Sequence, residues 1–386
     1  MENFIFNAYT KIYFGKGMIS NLPEAIKKHG KNVLLVYGGG SIRKNGIYDK
    51  TRELLSDCNI IELPGVEPNP KIDTVRKGVE LCREHNVEVI LAIGGGSTID
   101  CSKVIGAGFY YEGDAWELVE FPDKITEVLP VVTVLTLAAT GSEMNKNAVI
   151  SNPEINEKLG TASSNMIPQA SILDPEYLYS LPAIQTAAGT ADIMSHVFES
   201  YFKQEEDTFI QNKFAEGLLE TCIKYCPIAL KEPNNYEARA NLMWASTLAL
   251  NGLVGAGKAG AWTCHPMEHE LSAFYDITHG TGLAILTPRW MRYILSEKTV
   301  DKFVEYGKNV WHLPELEDKF AYANQAIDKT EQFFRDCGIP MSFSEIGIGE
   351  EYFDIMAEKA VRIGYLAYAY VPLSKNDVIN IFKMCM

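Results

Sequence analysis

Residues 87–100 read VEVILAIGGGSTID. The apolar, β-branched run Val87–Ile93 predicts a strand, and Thr98–Gly108 then carries helical spacing. Between them stand Gly94, Gly95 and Gly96. The pattern recurs on either side. Val33–Tyr37 predicts a strand ending at Gly38, Gly39, Gly40 and Ser41, and Ile60–Leu63 a short one. Lys71–His85 predicts a helix with Val75, Val79 and Cys82 on one face. Val131–Leu137 predicts a fourth strand, followed by Ala139, Thr140, Gly141, Ser142 and Glu143. Strands alternating with helices predict a parallel sheet covered on both faces, and continuously apolar strands fit burial on both sides. Open sheets of this kind bind ligands beyond the carboxyl ends of their strands, where these clusters fall. Glycines there let the backbone approach a diphosphate without a Cβ in the way. Ser97 is placed to cap the next helix, Asp100 completes an S-x-x-D box, and the helix start offers N–H groups to phosphate. The plainer reading is a set of tight strand-to-helix turns. Neither G-x-G-x-x-G nor G-x-x-x-x-G-K-[ST] occurs, so this is neither the usual Rossmann fingerprint nor a P-loop. After the first strand an acid would bind a ribose 2′-hydroxyl; here glycine stands there, with Ser41, Arg43 and Lys44 close behind. That combination admits a 2′-phosphate and predicts a preference for NADP(H) over NAD(H).

The remaining bounds are broad. A chain of 386 residues has room for two domains, and an apolar share of 47% suits a large core. A net charge of −15 disfavours nucleic acid and anionic membrane as partners. The start, MENFIFNAYTKIYFGKG, lacks the basic region and cleavage site of a signal peptide. No apolar run approaches the roughly 18 residues of a membrane span. The eight cysteines form no disulfide framework and no C-x-x-C, so a cytoplasmic location is expected.

Asp174-Pro175 and Leu181-Pro182 punctuate a change of character. We place the domain boundary there: residues 1–182 as a dinucleotide-binding α/β domain, 183–386 as an all-helical metal-binding domain. Thr186–Phe202, Asp207–Ala229, Tyr236–Leu253, Ala261–Phe274 and Gly280–Ser296 carry helical periodicity. So do Asp301–Trp311, Tyr322–Cys337, Glu351–Arg362 and Lys375–Lys383. Within this half Asp192 and His196 stand four residues apart, as do His265 and His269, and His279 follows ten after His269. Residues i and i+4 share a helix face. One carboxylate with three imidazoles is a first shell for a divalent ion such as Fe²⁺ or Zn²⁺. Spacing does not say which histidine stands outside it, and Cys264 is a further, weaker candidate. A cleft between the two domains is the expected meeting place of metal and nucleotide.

The motifs FGKG (14–17), YGGGS (37–41), GVEPNP (65–70), AIGGGSTID (92–100), TLAATGSE (136–143), LDP (173–175), AAGTADIMSHVFE (187–199), YEARANLMWA (236–245) and MEHELSAFYDITHG (267–280) span nearly the whole chain. With them the sequence resembles the iron-containing (type III) alcohol dehydrogenases, in the butanol dehydrogenase and broad aldehyde reductase branch. The resemblance implies Asp192, His196, His265 and His279 as metal ligands, with Fe²⁺ before Zn²⁺, and His269 as a proton-relay group near substrate. It implies cofactor contacts at Gly38, Gly39, Ser41, Asn69, Gly95, Gly96, Ser97, Asp100, Thr136, Leu137, Thr140, Asn147 and Lys158. It implies reversible hydride transfer between a nicotinamide dinucleotide and small primary alcohols or aldehydes, in a homodimer or larger homo-oligomer. The segment MNKNAVI (144–150) departs from some close relatives of that family, and YLAYAYVPLS (365–374) is also atypical. Alternatives are a metal-dependent lyase or polyol dehydrogenase on the same fold, or a metal hydrolase; the last leaves the glycine clusters without a role.

Overall fold

The computed structural model describes residues 1–205 and 207–386. Among the described residues eight strands are present: β1 (Lys11–Phe14), β2 (Asn32–Tyr37), β3 (Asn59–Pro64), β4 (Val89–Gly94), β5 (Val131–Leu135), β6 (Asn147–Asn152), β7 (Glu157–Ala162) and β8 (Ala170–Leu173). The helices of the first half are α1 (Leu22–Lys27), α2 (Ser41–Lys44), α3 (Ile47–Leu54), α4 (Ile72–Glu84), α5 (Gly96–Tyr110) and α6 (Ala115–Glu120). Those of the second are α7 (Ala183–Tyr201), α8 (Phe209–Lys231), α9 (Tyr236–Ala249), α10 (Cys264–Tyr275), α11 (His279–Ile294), α12 (Val300–Asn309), α13 (Lys319–Asp336), α14 (Phe353–Ile363) and α15 (Lys375–Met384). Among the described residues no helix is long and apolar enough to cross a membrane.

The chain divides into two compact units. One comprises Asn7–Leu181 with Pro233–Thr247; the other comprises Met1–Phe6, Pro182–Glu232 and Leu248–Met386. These bounds differ from a single cut at residue 182. The N-terminal Met1–Phe6 groups with the helical unit, and most of α9 groups with the sheet unit. Packing explains the second difference. Met243 joins a buried cluster with Ala92, Ile99, Leu135 and Leu173. Trp244 meets Phe14 edge-on at 5.7 Å, and the Thr247 hydroxyl donates to Glu143 Oε1 at 2.6 Å.

In the sheet unit six strands run parallel in the order β1-β8-β5-β4-β2-β3. Side chains alternate across it as the two-residue period requires. Leu34, Val36 and Ile90 pack on one face with α4 and α5 residues such as Val75, Val104 and Ile105. Val33, Leu35, Val89, Leu91 and Ile93 pack on the other with Leu22, Ile26 and Ile47. The four strands expected from sequence are present. The outer pair β1 and β8 are only four residues long, too short to show a period. A separate antiparallel hairpin, β6–β7, follows the sheet's fifth strand.

In the helical unit α7 is buried on all sides from Thr186 to Tyr201, the signature of a helix enclosed by others. It packs against α8, α10 and α11. The approach of α11 is set by Gly280: a Cβ there would overlap the backbone carbonyl of Ala188, one turn before Asp192. Backbone against backbone leaves no flexible side chain to yield. Gly280→Ala is therefore expected to destabilise this unit by about 1–3 kcal/mol, seen as a lowered thermal unfolding midpoint against the parent protein.

Candidate functional site

Three residues of α7, at i, i+4 and i+7, build one side of a polar centre in the helical unit: Asp192, His196 and Glu199, each at least 95% buried. The start of α10 is bound to this row. Glu199 accepts the N–H of Thr263 at 2.7 Å and of His265 at 3.0 Å, supplying the cap that Thr263 does not give itself. Glu199 Oε1 also meets His265 Nδ1 at 3.1 Å. With Nδ1 engaged, His265 presents Nε2 inward, 3.7 Å from Asp192 Oδ1. The first residue of α11 repeats the device. His279 Nδ1 pairs with the buried carboxylate of Glu268, which also accepts the Ser272 hydroxyl. His279 Nε2 then lies 3.7 Å from the same Asp192 oxygen.

The donor atoms of Asp192, His265 and His279 fall within 4.8 Å of one another. His196 adjoins this trio. Its Nδ1 stands 3.4 Å from Asp192 Oδ1, and its ring is tilted on His265 with centroids 4.5 Å apart. Asp192 Oδ1, His196 Nδ1 and His265 Nε2 are all buried without a hydrogen-bond partner. Spacings of 3.4–3.7 Å are too long for hydrogen bonds. They suit ligands sharing one ion, since tetrahedral arms of about 2.1 Å place donor atoms roughly 3.4 Å apart. The residues present thus fit a divalent cation held by one carboxylate and imidazoles.

Electrostatics agree at Asp192 and His196. Burial alone would raise the Asp192 carboxyl, but the imidazoles of His196, His265 and His279 outweigh it and hold it well below the usual carboxylate range. Burial drives His196 down to about 3, despite the attraction of Asp192, so its ring is neutral. Burial also opposes charge on His265, but the carboxylates of Asp192 and Glu199 on either side raise it to about 9.

His269 takes a different position. Although it shares a helix with His265, it groups with Glu268 and His279. Its ring centroid is 5.7 Å from His279 and 6.4 Å from His265, and it is partly exposed. Cys264 turns its buried thiol toward Thr287 and joins no donor group among the described residues. Trp262 lies against the other side of the centre, 4.8 Å from His265 and 5.7 Å from His196.

In the sheet unit the loop residues singled out by sequence lie beyond the carboxyl ends of β2, β3, β4 and β5 and on the β6–β7 hairpin. Gly38 and Gly39 follow β2, and Ser41 opens α2. Thr136, Leu137 and Thr140 follow β5. The protein's own packing requires Gly96, where a Cβ would overlap Thr140, and favours Gly95, where one would crowd Leu137. Around Gly39 there is open space. Asn69, in the left-handed conformation, accepts a hydrogen bond from the buried ammonium of Lys158 at 2.9 Å. The expected capping box is not formed. Gly95 is itself the N-cap of α5, so Ser97 lies within the first turn. Asp100 faces away from the helix start and accepts the Ser142 hydroxyl at 2.5 Å and the Val149 N–H at 2.9 Å. Beside it Lys103 donates to Ser142 Oγ and to the carbonyls of Asn145 and Asn147. Asp100 and Lys103 thus pin the loop that delivers Asn147.

Family models match both halves of the chain: iron-containing alcohol dehydrogenase over residues 9–175, and the C-terminal part of the Fe-containing alcohol dehydrogenase family over residues 186–386. The chain belongs to the iron-containing alcohol dehydrogenase family. It falls in the butanol dehydrogenase branch and is an enzyme of alcohol–aldehyde interconversion. It is 56% identical to the NADH-dependent butanol dehydrogenase A of Clostridium acetobutylicum, over 99% of both chains. It is 41% identical to the NADPH-dependent aldehyde reductase YqhD of Escherichia coli, over 90% of both. Its fold matches the crystal structure of NADH-dependent butanol dehydrogenase A from Thermotoga maritima with a TM-score of 0.94 at 39% identity, covering 100% of this chain and 99% of that one.

Glu199 and Glu268 were not singled out from sequence. The signal for Glu199 was available, since it stands seven residues after Asp192 on the same helical face. Carboxylates that orient ligating histidines typically change metal affinity about 10–100-fold when lost. Glu199→Gln is accordingly expected to weaken divalent-metal binding by that factor, measured by competition with a chromophoric chelator.

Proposed function

We propose that this enzyme interconverts small primary alcohols and aldehydes, of the butanol and butanal class, by metal-assisted hydride transfer with a nicotinamide dinucleotide. The observation that carries the reading is the buried trio Asp192 Oδ1, His196 Nδ1 and His265 Nε2, which have no hydrogen-bond partner, in a chain of this family. Asp192, His196, His265 and His279 would hold the ion, Fe²⁺ first and Zn²⁺ second. The ion supplies Lewis-acid polarisation of the substrate oxygen, and the dinucleotide supplies or accepts the hydride.

The chain's own groups do the rest. Glu199 and Glu268 fix His265 and His279 with Nε2 inward. Trp262 and the surrounding helices keep bulk water from His196 and His265. His269, partly exposed and grouped with Glu268 and His279, passes a proton between the reacting oxygen and solvent. In the sheet unit the glycine turn after β2, the start of α5 and the Asn69–Lys158 pair form the dinucleotide seat. Ser41, Arg43 and Lys44 supported NADP(H) from sequence. Arg43, however, already pairs with Glu62 at 2.9 Å, so a 2′-phosphate has to draw it away. We therefore take both dinucleotides as usable, with NAD(H) favoured by the arrangement as it stands.

His265→Ala should emerge without bound metal and without activity. His269→Ala should keep the metal and lose part of the rate, at most the roughly 10²–10⁴-fold of a proton relay. Metal analysis of the purified variants, with butanal reduction followed at the nicotinamide absorbance, separates the two. An empty His269→Ala beside a loaded His265→Ala would reverse the assignment. For the dinucleotide, kcat/KM for NADH is expected to exceed that for NADPH; a clear preference for NADPH returns Arg43 to the role read from sequence.

A further inference from the structure

The Arg43–Glu62 pair belongs to a larger polar cluster in the sheet unit. Glu62 sits on β3 beside Leu35 of β2. Its carboxylate accepts the Tyr48 hydroxyl at 2.5 Å, the Tyr37 hydroxyl at 2.8 Å and Arg43 Nη2 at 2.9 Å. Arg52 lies 3.9 Å away. Arg43 also donates to the Tyr37 hydroxyl at 2.6 Å and stacks on the Tyr48 ring, 3.8 Å from its centroid. Burial would push the Glu62 carboxyl up, but the two phenols and the arginines outweigh it and hold the group ionised.

This cluster is built into the glycine turn. Tyr37 is the last residue of β2, and its carbonyl accepts the Val66 N–H, while the Gly38 carbonyl accepts that of Gly65. Arg43 bonds back through its own N–H to the Gly40 carbonyl. In doubly wound sheets an acid near this point recognises a ribose 2′-hydroxyl, and an arginine accommodates a 2′-phosphate. Here both groups are present and occupied with each other.

We propose that Glu62 sets dinucleotide choice, by holding Arg43 away from a 2′-phosphate and so turning the enzyme toward NAD(H). The inference rests on the dehydrogenase reading above. A 2′-phosphate must break the Arg43–Glu62 pair to gain the guanidinium. The carboxylate it leaves behind is still fixed by Tyr37 and Tyr48, and it then faces the incoming anion with Arg52, 3.9 Å away, as a weaker offset. A 2′-hydroxyl makes neither demand.

The test measures kcat/KM with butanal for NADPH and for NADH, together with the binding of each reduced dinucleotide by its own fluorescence. Glu62→Gln keeps the shape and removes the charge. It should raise the NADPH/NADH ratio of kcat/KM about ten- to hundredfold, the span of a charge-assisted hydrogen bond. Adding Arg43→Ala to Glu62→Gln should cancel the gain. Tyr48→Phe removes one tether from the carboxylate and should move the ratio the same way by less; it decides the matter if Glu62→Gln does not accumulate. An unchanged ratio in Glu62→Gln, or a gain that survives Arg43→Ala, overturns the inference and leaves the dehydrogenase reading standing. If the metal-loaded parent protein binds neither dinucleotide and reduces no aldehyde, the dehydrogenase reading fails, and this one with it.

Discussion

A carboxylate oxygen enclosed by imidazoles, with no hydrogen to satisfy it, is the constraint around which the helical unit is arranged. Leaving an ionised group unpaired in the interior costs several kcal/mol, so Asp192 needs compensating partners at close range. Each neighbouring element contributes by presenting a ring nitrogen: α7 through His196, α10 through His265, α11 through His279. Two of those rings would be free to turn were their outer nitrogens not held by Glu199 and Glu268. Glu199 does more than orient a ring, because the same carboxylate fastens the first turn of α10 to α7. Helix packing and ligand geometry are thereby one problem with one solution. The bare backbone at Gly280 completes it by letting His279 come close enough.

The sheet unit follows a different logic. Its glycines look like ligand-binding devices, yet the atoms that crowd a side chain at Gly95 and exclude one at Gly96 belong to Leu137 and Thr140. Turn packing and phosphate access are not rivals at these positions, since a turn drawn this tight also brings backbone N–H groups to the sheet's edge. Buried charge serves placement here as well. Burial lowers Lys103 to about 8, and its ammonium is directed at three points of the 142–147 loop.

Much of this was legible in the sequence, for definable reasons. Strands β2, β4 and β5 are almost wholly apolar and end in glycine or hydroxyl clusters, so both their existence and their parallel pairing could be read. Strands β1 and β8 could not, because four residues carry no period and their places are set by pairing, β8 between β5 and β1. The i, i+4 spacing of Asp192 and His196 was readable because a helix enforces it. The same spacing in His265 and His269 gave no choice between them; in space His265 stands with Asp192 and His279, and His269 with Glu268 and His279. Ser97 and Asp100 matched a capping pattern, but the helix starts at Gly96, and Asp100 finds its partners 42 and 49 residues away. Likewise Arg43 looked available because Glu62, on strand β3 and 19 residues later, is invisible to local reading.

The path of α9 has a practical corollary for anyone who would treat the halves as modules. Because Pro233–Thr247 groups with the sheet while the residues on both sides of it group with the helices, the chain leaves and re-enters the helical unit partway along. Truncating at residue 182 would strip the sheet of Met243 and Trp244 and leave those same side chains exposed on the severed fragment. Recombination between relatives at that point would transplant a piece of one core with the body of the other, so exchange of parts should be planned along three-dimensional boundaries.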